Sequence, residues 1–314
     1  DRQPAPVDRA VPADGHVVDN HAGYAGGGVY LRGASALVDD AFDGNLAEAQ
    51  GGGLYVEGGT GAITGARFAG NRAGDDGGGA ILDGGAPLVD GCSFVDNRAG
   101  DDGGGLYVTG GDASITHTRW VGNRAGYRGG AVAIEAGAGS LADMAVRGNR
   151  AVHGGGLSVV DGALAVIGAT IARNVATDDG GAVRAVGATV ELRSVAIDGN
   201  VAADGAGLAL TDTDGAAANV VLWGDVDAAI TVDEGRPFDV VNAAVVGPIV
   251  TRSGVAPAIR YSRFDGERWG FVAARSGDFH LRPGSPLVDA GDPTILDPDG
   301  TRSDIGVHGG PDAR

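Results

Sequence analysis

Short runs of alternating apolar and polar residues recur along the first two thirds of the chain, each introduced by glycines: GGGVYL at 26–31, GGGLYV at 51–56, GGGAIL at 77–82, GGGLYV at 103–108, then GGAVAI, GGGLSV, GGAVRA and GAGLAL. A period of two is the signature of a β-strand, whose successive side chains point to opposite faces. Between the runs, an asparagine returns every 25 or 26 residues, at Asn20, Asn45, Asn71, Asn97, Asn123, Asn149, Asn174 and Asn200. Three positions before each stands a large apolar residue: Val17, Phe42, Phe68, Phe94, Trp120, Val146, Ile171 or Ile197. Units this short cannot close a core alone, but stacked units can. The pattern therefore predicts an all-β, single-stranded parallel solenoid of about 26 residues per coil, successive coils lying about 4.8 Å apart.

On this register the inward positions are Val29 and Leu31, Leu54 and Val56, Ala80 and Leu82, Leu106 and Val108, Val132 and Ile134, Leu157 and Val159, Val183 and Ala185, Leu208 and Leu210. The residues three before each Asn supply a further ladder, and Cys92 and Met144 read as core residues. The asparagines predict an internal ladder, each amide bonding to the next coil at a corner that favours left-handed backbone. After residue 210 the beat fades. The organisation expected is a cap or linker over 1–14, regular coils over 15–212, less regular coils over 213–282, and a segment over 283–314 covering the exposed end of the stack.

Composition sharpens this picture. Sixty glycines among 314 residues, with 43% hydrophobic residues and no Gly-X-Y period, fit recurring turns in a packed protein. All 23 basic residues are arginine and 41 residues are acidic, giving a formal charge of −18. Such a surface disfavours nucleic acid as a partner and suits a secreted or salt-exposed protein. A single cysteine excludes an internal disulfide, and no apolar run is long enough to span a membrane. With Asp at position 1 and Met144 as its only methionine, the chain reads as a piece of a longer precursor whose signal peptide is already absent.

The F-x-x-N units Phe42-Asp-Gly-Asn45, Phe68-Ala-Gly-Asn71 and Phe94-Val-Asp-Asn97, with their GG-A/L-V/I strands, resemble the repeats of chlamydial-type polymorphic outer-membrane proteins over about residues 17–210. That resemblance implies a right-handed parallel β-helix of the pectate-lyase-like kind. ANVVLWGD, AIRYSRFDG and DFHLRPGSPLVDAGDP, followed by DPDGTRSDIGVHGG, resemble bacterial secreted β-helix proteins of the choice-of-anchor Q type. This second likeness implies a surface protein and transfers no catalytic residue.

In a stacked solenoid, functional groups assemble down columns. The place after each Asn holds His21, Leu46, Arg72, Arg98, Arg124, Arg150, Val175 and Val201. Counted forward from Asn, the fourth place holds Tyr24, Ala49, Asp75, Asp101, Tyr127, His153, Asp178 and Asp204, and the fifth adds Gln50, Asp76, Asp102, Arg128 and Asp179. Two readings stand for these acids: a turn neutralised by the arginines, or a calcium or substrate site at Asp102, Arg128, His153, Asp178 and Asp179 with acid–base capacity toward an acidic sugar. Tyr30, Tyr55 and Tyr107 fall in an outward column, either as a platform for sugar rings or as cover for a sheet face. In the tail, Asp297, Asp299 and Asp304 read as half a calcium loop or as a cap in which Asp side chains bind backbone amides.

No cofactor is required by these motifs, and calcium is the one ion they suggest. Two functions follow: a non-catalytic extracellular or cell-surface module for adhesion, envelope structure or ligand display, or a lyase or hydrolase of acidic polysaccharide. Its partner in either case is a polysaccharide or another surface component. Coils of constant length leave little chain for groove walls, which favours the first.

Overall fold

The computed structural model describes residues 15–34, 36–224, 228–264 and 269–313, so the N-terminal 1–14 lie outside the described residues. Alternating apolar residues become three parallel sheets of 11, 10 and 10 strands that run the length of a solenoid. The first holds the strands that lead into each asparagine, from His16–Val18 to Arg263–Phe264. Strands after the glycine turns form the second, from Val29–Arg32 to Ile249–Thr251, and the third runs from Leu37–Val38 to Ala258–Arg260. Coil stacks on coil in strict register: Phe42 pairs with Phe68, Phe68 with Phe94, and Phe94 with Trp120.

The anticipated inward residues form one continuous core, with Leu54, Leu106, Val159, Val183 and Leu208 at 0–1% exposure. Val29 is only half-buried, because it lies on the first coil. Phe42, Phe68 and Phe94 stack with ring centres 4.7 and 4.6 Å apart, and Trp120 continues the row at 5.7 Å. The third sheet adds a ladder that the Asn-centred repeat did not single out: Leu37, Ile63, Val89, Ile115, Leu141 and Val166. Cys92 and Met144 pack in this core, and burial pushes the Cys92 thiol up to about 12.

The asparagine ladder is buried from Asn45 to Asn200, while Asn20 at its open end is exposed. Each rung is doubly bound. Asn123 Oδ1 accepts from the Asn97 backbone N–H at 3.0 Å and from Asn97 Nδ2 at 2.9 Å, and Asn123 Nδ2 donates to the Phe94 carbonyl at 2.9 Å. The left-handed corner residue is not the Asn but the one before it, at Gly70 (φ 62°), Asp96 (φ 54°) and Arg173 (φ 55°), and the Asn side chains from Asn45 to Asn200 are buried.

At the glycine turns the close approach is between backbones. A Cβ on Gly104 would lie 2.4 Å from the Gly130 carbonyl oxygen and 2.5 Å from the Arg124 carbonyl carbon. Gly52, Gly78, Gly130 and Gly155 hold the same place in other coils, whereas Ala206 takes it in the eighth turn. Gly104→Ala is expected to lower stability by about 2 kcal/mol, because neither backbone can yield without unpairing its ladder. A urea midpoint equal to that of the parent would show that the coils separate freely.

Pairing continues beyond the asparagines. Leu208 pairs with Ile230 and Ile230 with Ile249, so the coils shorten by shedding the glycine turn. The C-terminal part then departs from its expected place over the end of the stack. Trp269, Phe271, Phe279, Leu287 and Ile305 cluster with Ala196, Val221 and Ala244 on the outer face of the first sheet. Asn219 and Asn242 lock it there by donating to Ser303 Oγ at 3.0 and 3.1 Å. Small residues on that face leave room for the aromatic cluster, while Val250, Ile259 and Phe264 on the last coil stay 37%, 43% and 38% exposed.

Candidate functional site

The turns that carry the acidic columns are brought together as one row, but in a different register from the count forward of Asn. Arg128 pairs with His153, and Asp179 with Asp204. The coil after Asn149 has lost one residue before its glycines, so equivalence runs backward from the strand. The true row is Gln50, Asp76, Asp102, Arg128, His153, Asp179 and Asp204. Asp178 stands beside it, with its side chain 64% exposed.

Within the row, acids and bases satisfy one another. Arg128 donates to Asp102 Oδ2 from Nη2 at 2.6 Å and from Nε at 3.0 Å, and its backbone N–H donates to Asp102 Oδ1 at 2.8 Å. The two side chains are only 17% and 7% exposed. Burial opposes the Arg128 charge, yet its bonds and attraction to Asp102, with Glu135 beside it, hold the guanidinium protonated above its usual range. His153 Nδ1 lies 2.5 Å from Asp179 Oδ1, and Arg184 Nε donates to the other oxygen at 3.1 Å. One coil further, Asp204 accepts from Thr231 at 2.8 Å and pairs with Arg252 at 2.8 Å. Asp76 is the exception in balance: burial first, then Asp102 and Asp101, raises its carboxyl above the usual range. Of the sequence candidates, Asp102, Arg128, His153 and Asp179 are thus gathered but engaged in pairing, and the arginines after Asn take no part in it.

The tyrosine column is covered rather than exposed. Tyr55 and Tyr107 are 9% and 8% accessible and pack with Ile81, Ala133 and Ala25, with Tyr30 half-buried at the edge. The cause is the left-handed glycine that opens each turn: Gly103, at φ 64°, sits so close that a Cβ there would lie 2.8 Å from Tyr107 Cβ. The turn folds back over the strand. Tyr55 donates to Asp83 at 2.6 Å, Tyr107 to Glu135 and Tyr30 to Glu57. Burial first, then these carboxylates, raises the Tyr55 and Tyr107 hydroxyls above their usual range. The Tyr107 bond in turn holds the Glu135 carboxyl low.

In the tail, Asp297 accepts from the backbone of Asp304 at 3.1 Å and of Gly310 at 2.5 Å. Asp299 accepts from Thr301 N and Oγ1 at 2.9 and 2.7 Å, and Asp304 from the Asp289 N–H at 2.8 Å. These carboxylates fold their own loop, and among the described residues no three His, Cys, Asp or Glu side chains are gathered where they could hold a metal ion. Burial, then Asp297, Asp289 and Asp299, raises the Asp304 carboxyl.

A feature that the repeats gave no sign of lies where the C-terminal segment meets the coils. Thr170, Ser194, Asp278, His280, His308 and Asp312 help line a cleft of about 430 Å³. His280 and His308 stack with ring centres 3.8 Å apart, and His280 Nδ1 lies 2.8 Å from Asp278, whose carboxyl that bond lowers. The groups come from coils and tail far apart in sequence, so no local motif announces them.

Compared with known proteins, residues 13–176 match the family described as right handed beta helix region. No curated protein and no solved structure matches the chain.

Proposed function

The chain belongs to the right-handed β-helix family, and from that premise we propose that it is a non-catalytic extracellular or cell-surface module, serving adhesion, envelope structure or ligand display. The observation that carries this reading is the pairing within the turn row: Asp102 with Arg128, and His153 with Asp179 and Arg184, leave those acids and bases committed to one another. A general acid or base needs a proton-exchanging atom open to substrate. The absence of lengthened coils through Asn200 supports the same reading, since nothing in them builds the walls of a groove. The likeness of its repeats to those of polymorphic outer-membrane proteins supports a place at the cell surface, with a polysaccharide or another surface component as partner. Among the described residues no helix is long and apolar enough to cross a membrane.

The cleft favours a second reading. Asp278 and His280 form an acid–base pair opening to a cavity beside Ser194, an arrangement among the described residues that suits hydrolysis or elimination on a polysaccharide. A panel of acidic polysaccharides, incubated with the full chain, separates the two. No reducing or unsaturated ends are expected; their release, lost in His280→Ala, would establish the enzyme. Calcium is treated in the same experiment as dispensable: chelator is expected to leave the thermal midpoint unchanged, because the tail carboxylates already bind backbone donors. A fall in the midpoint on chelation would assign them to the ion.

A further inference from the structure

The arginines after the ladder asparagines stack as a line of four. Arg72 pairs with Arg98, Arg98 with Arg124, and Arg124 with Arg150, each one coil above the last. The line ends abruptly, at Leu46 on one side and Val175 on the other. All four side chains are exposed, and among the described residues none has an ion pair or a side-chain hydrogen bond. Some arginines elsewhere behave differently. Arg32, Arg67, Arg236 and Arg260 each take a carboxylate from a neighbouring coil, on Glu57, Asp43, Asp212 and Asp239.

In a protein of charge −18, four like charges in register and without a counter-ion on the protein are conspicuous. Cations on adjacent strands repel, so an anion brought to the line relieves repulsion as well as forming new bonds. The rungs lie about 4.8 Å apart and the whole line spans about 14 Å, the spacing being that of neighbouring strands. Planar guanidinium groups bind carboxylates in a two-pronged fashion. Exposed Asp75 and Asp101, three residues further along the same turns, border the line with negative charge. The positive strip is therefore narrow: a single linear chain can follow it, whereas a flat anionic membrane would also meet the acids.

We propose that Arg72, Arg98, Arg124 and Arg150 form a binding line for a linear polysaccharide carrying one carboxylate per sugar, laid parallel to the solenoid axis so that successive anions meet successive rungs. This rests on the reading of the chain as a ligand-displaying surface module, and names the ligand class. It places the ligand on the outside of the Asn corner, away from the covered tyrosines and the tail cleft.

The test uses the full chain with polygalacturonate, and its fully methyl-esterified form as the uncharged control. Titration calorimetry is expected to show binding of the acid and none of the ester, weakening as salt is raised. Arg98→Gln with Arg124→Gln, both exposed and distant from the core, is expected to weaken binding by about tenfold or more through loss of two charge-assisted contacts. Arg32→Gln, which removes a paired arginine on another face, is expected to leave it unchanged. Equal binding by the parent and the double variant, or no binding by either, overturns the line. Tighter binding of single-stranded DNA of equal charge overturns the polysaccharide assignment. Reducing or unsaturated ends in the same samples would count against the non-catalytic reading alone, because loss of binding in the double variant would still locate the ligand on the line.

Discussion

Asn123→Ala is expected to destabilise the protein by about 3 kcal/mol, because it strips partners from groups with no access to water. The Asn97 backbone N–H loses its acceptor, and the Phe94 carbonyl loses its amide donor. The substituted side chain lies at 0% exposure, so water cannot replace it. Leaving a buried donor unsatisfied costs about 1–3 kcal/mol, and each further lost bond about 1 kcal/mol. For a chain of this size that is on the order of a 5 °C fall in the midpoint. Asn20→Ala is the internal control. Asn20 is exposed and only donates, to Asn45 Oδ1 at 3.0 Å, so its loss is expected to cost under about 1 kcal/mol. Equal losses at both positions would remove the ladder from the sources of stability. Because contacts run mainly between neighbouring coils, melting is to be followed by two probes, since a solenoid need not unfold in one step.

Arg128→Ala is expected to cost about 3 kcal/mol, at the lower end for a broken buried pair because the arginine retains some exposure. Asp102, 7% exposed, would lose the guanidinium and keep only the backbone N–H of residue 128. Arg128→Met keeps the apolar stem, so a loss shared by both variants is assigned to the charge. The pH profile adds a signed test. Glu135 has a carboxyl lowered by the Tyr107 bond and then by Arg128, against an ordinary value of 4.5. A lowered carboxyl contributes stability that is present above its unfolded value and lost as pH falls through the folded one. The acid side of the stability profile should therefore be shallower in Arg128→Ala than in the parent. An unchanged midpoint with an unchanged acid limb would show that the pair contributes nothing. The same variant bears on function, since any loss of activity in it would first have to be separated from loss of fold.

Much of the candidate site was legible in type but not in position. The mixture of Asp, Arg and His in the turns was visible from the repeat, and Asp102, Arg128, His153 and Asp179 do come together. Counting forward from Asn misplaced His153 and Asp204, because the coils after Asn149 and Asn200 drop a residue before the glycines. Counting back from the strand, whose hydrogen bonds set the register, recovers the row. Alternation placed Tyr55 and Tyr107 on the outer face correctly, yet a face pointing away from one core can be buried in another. What covers it is a turn reversed by Gly103 and its equivalents, a property of backbone φ rather than of side-chain pattern.

The coil, its length, the inward ladders of the first two sheets and the asparagine rungs are all written in the repeat, because a residue repeated at constant spacing in stacked strands must meet its own equivalents. Local alternation and nearest-neighbour pairing were sufficient for that. How charges are shared between turns, which arginines are left without partners, and where the C-terminal segment settles emerge only from the folded chain. Those outcomes depend on contacts such as Asn219 with Ser303 and Asn242 with Ser303, between residues far apart in the chain and outside any repeat. No periodicity constrains such contacts: they are fixed by the competition among whole surfaces to bury apolar area and satisfy polar groups at once.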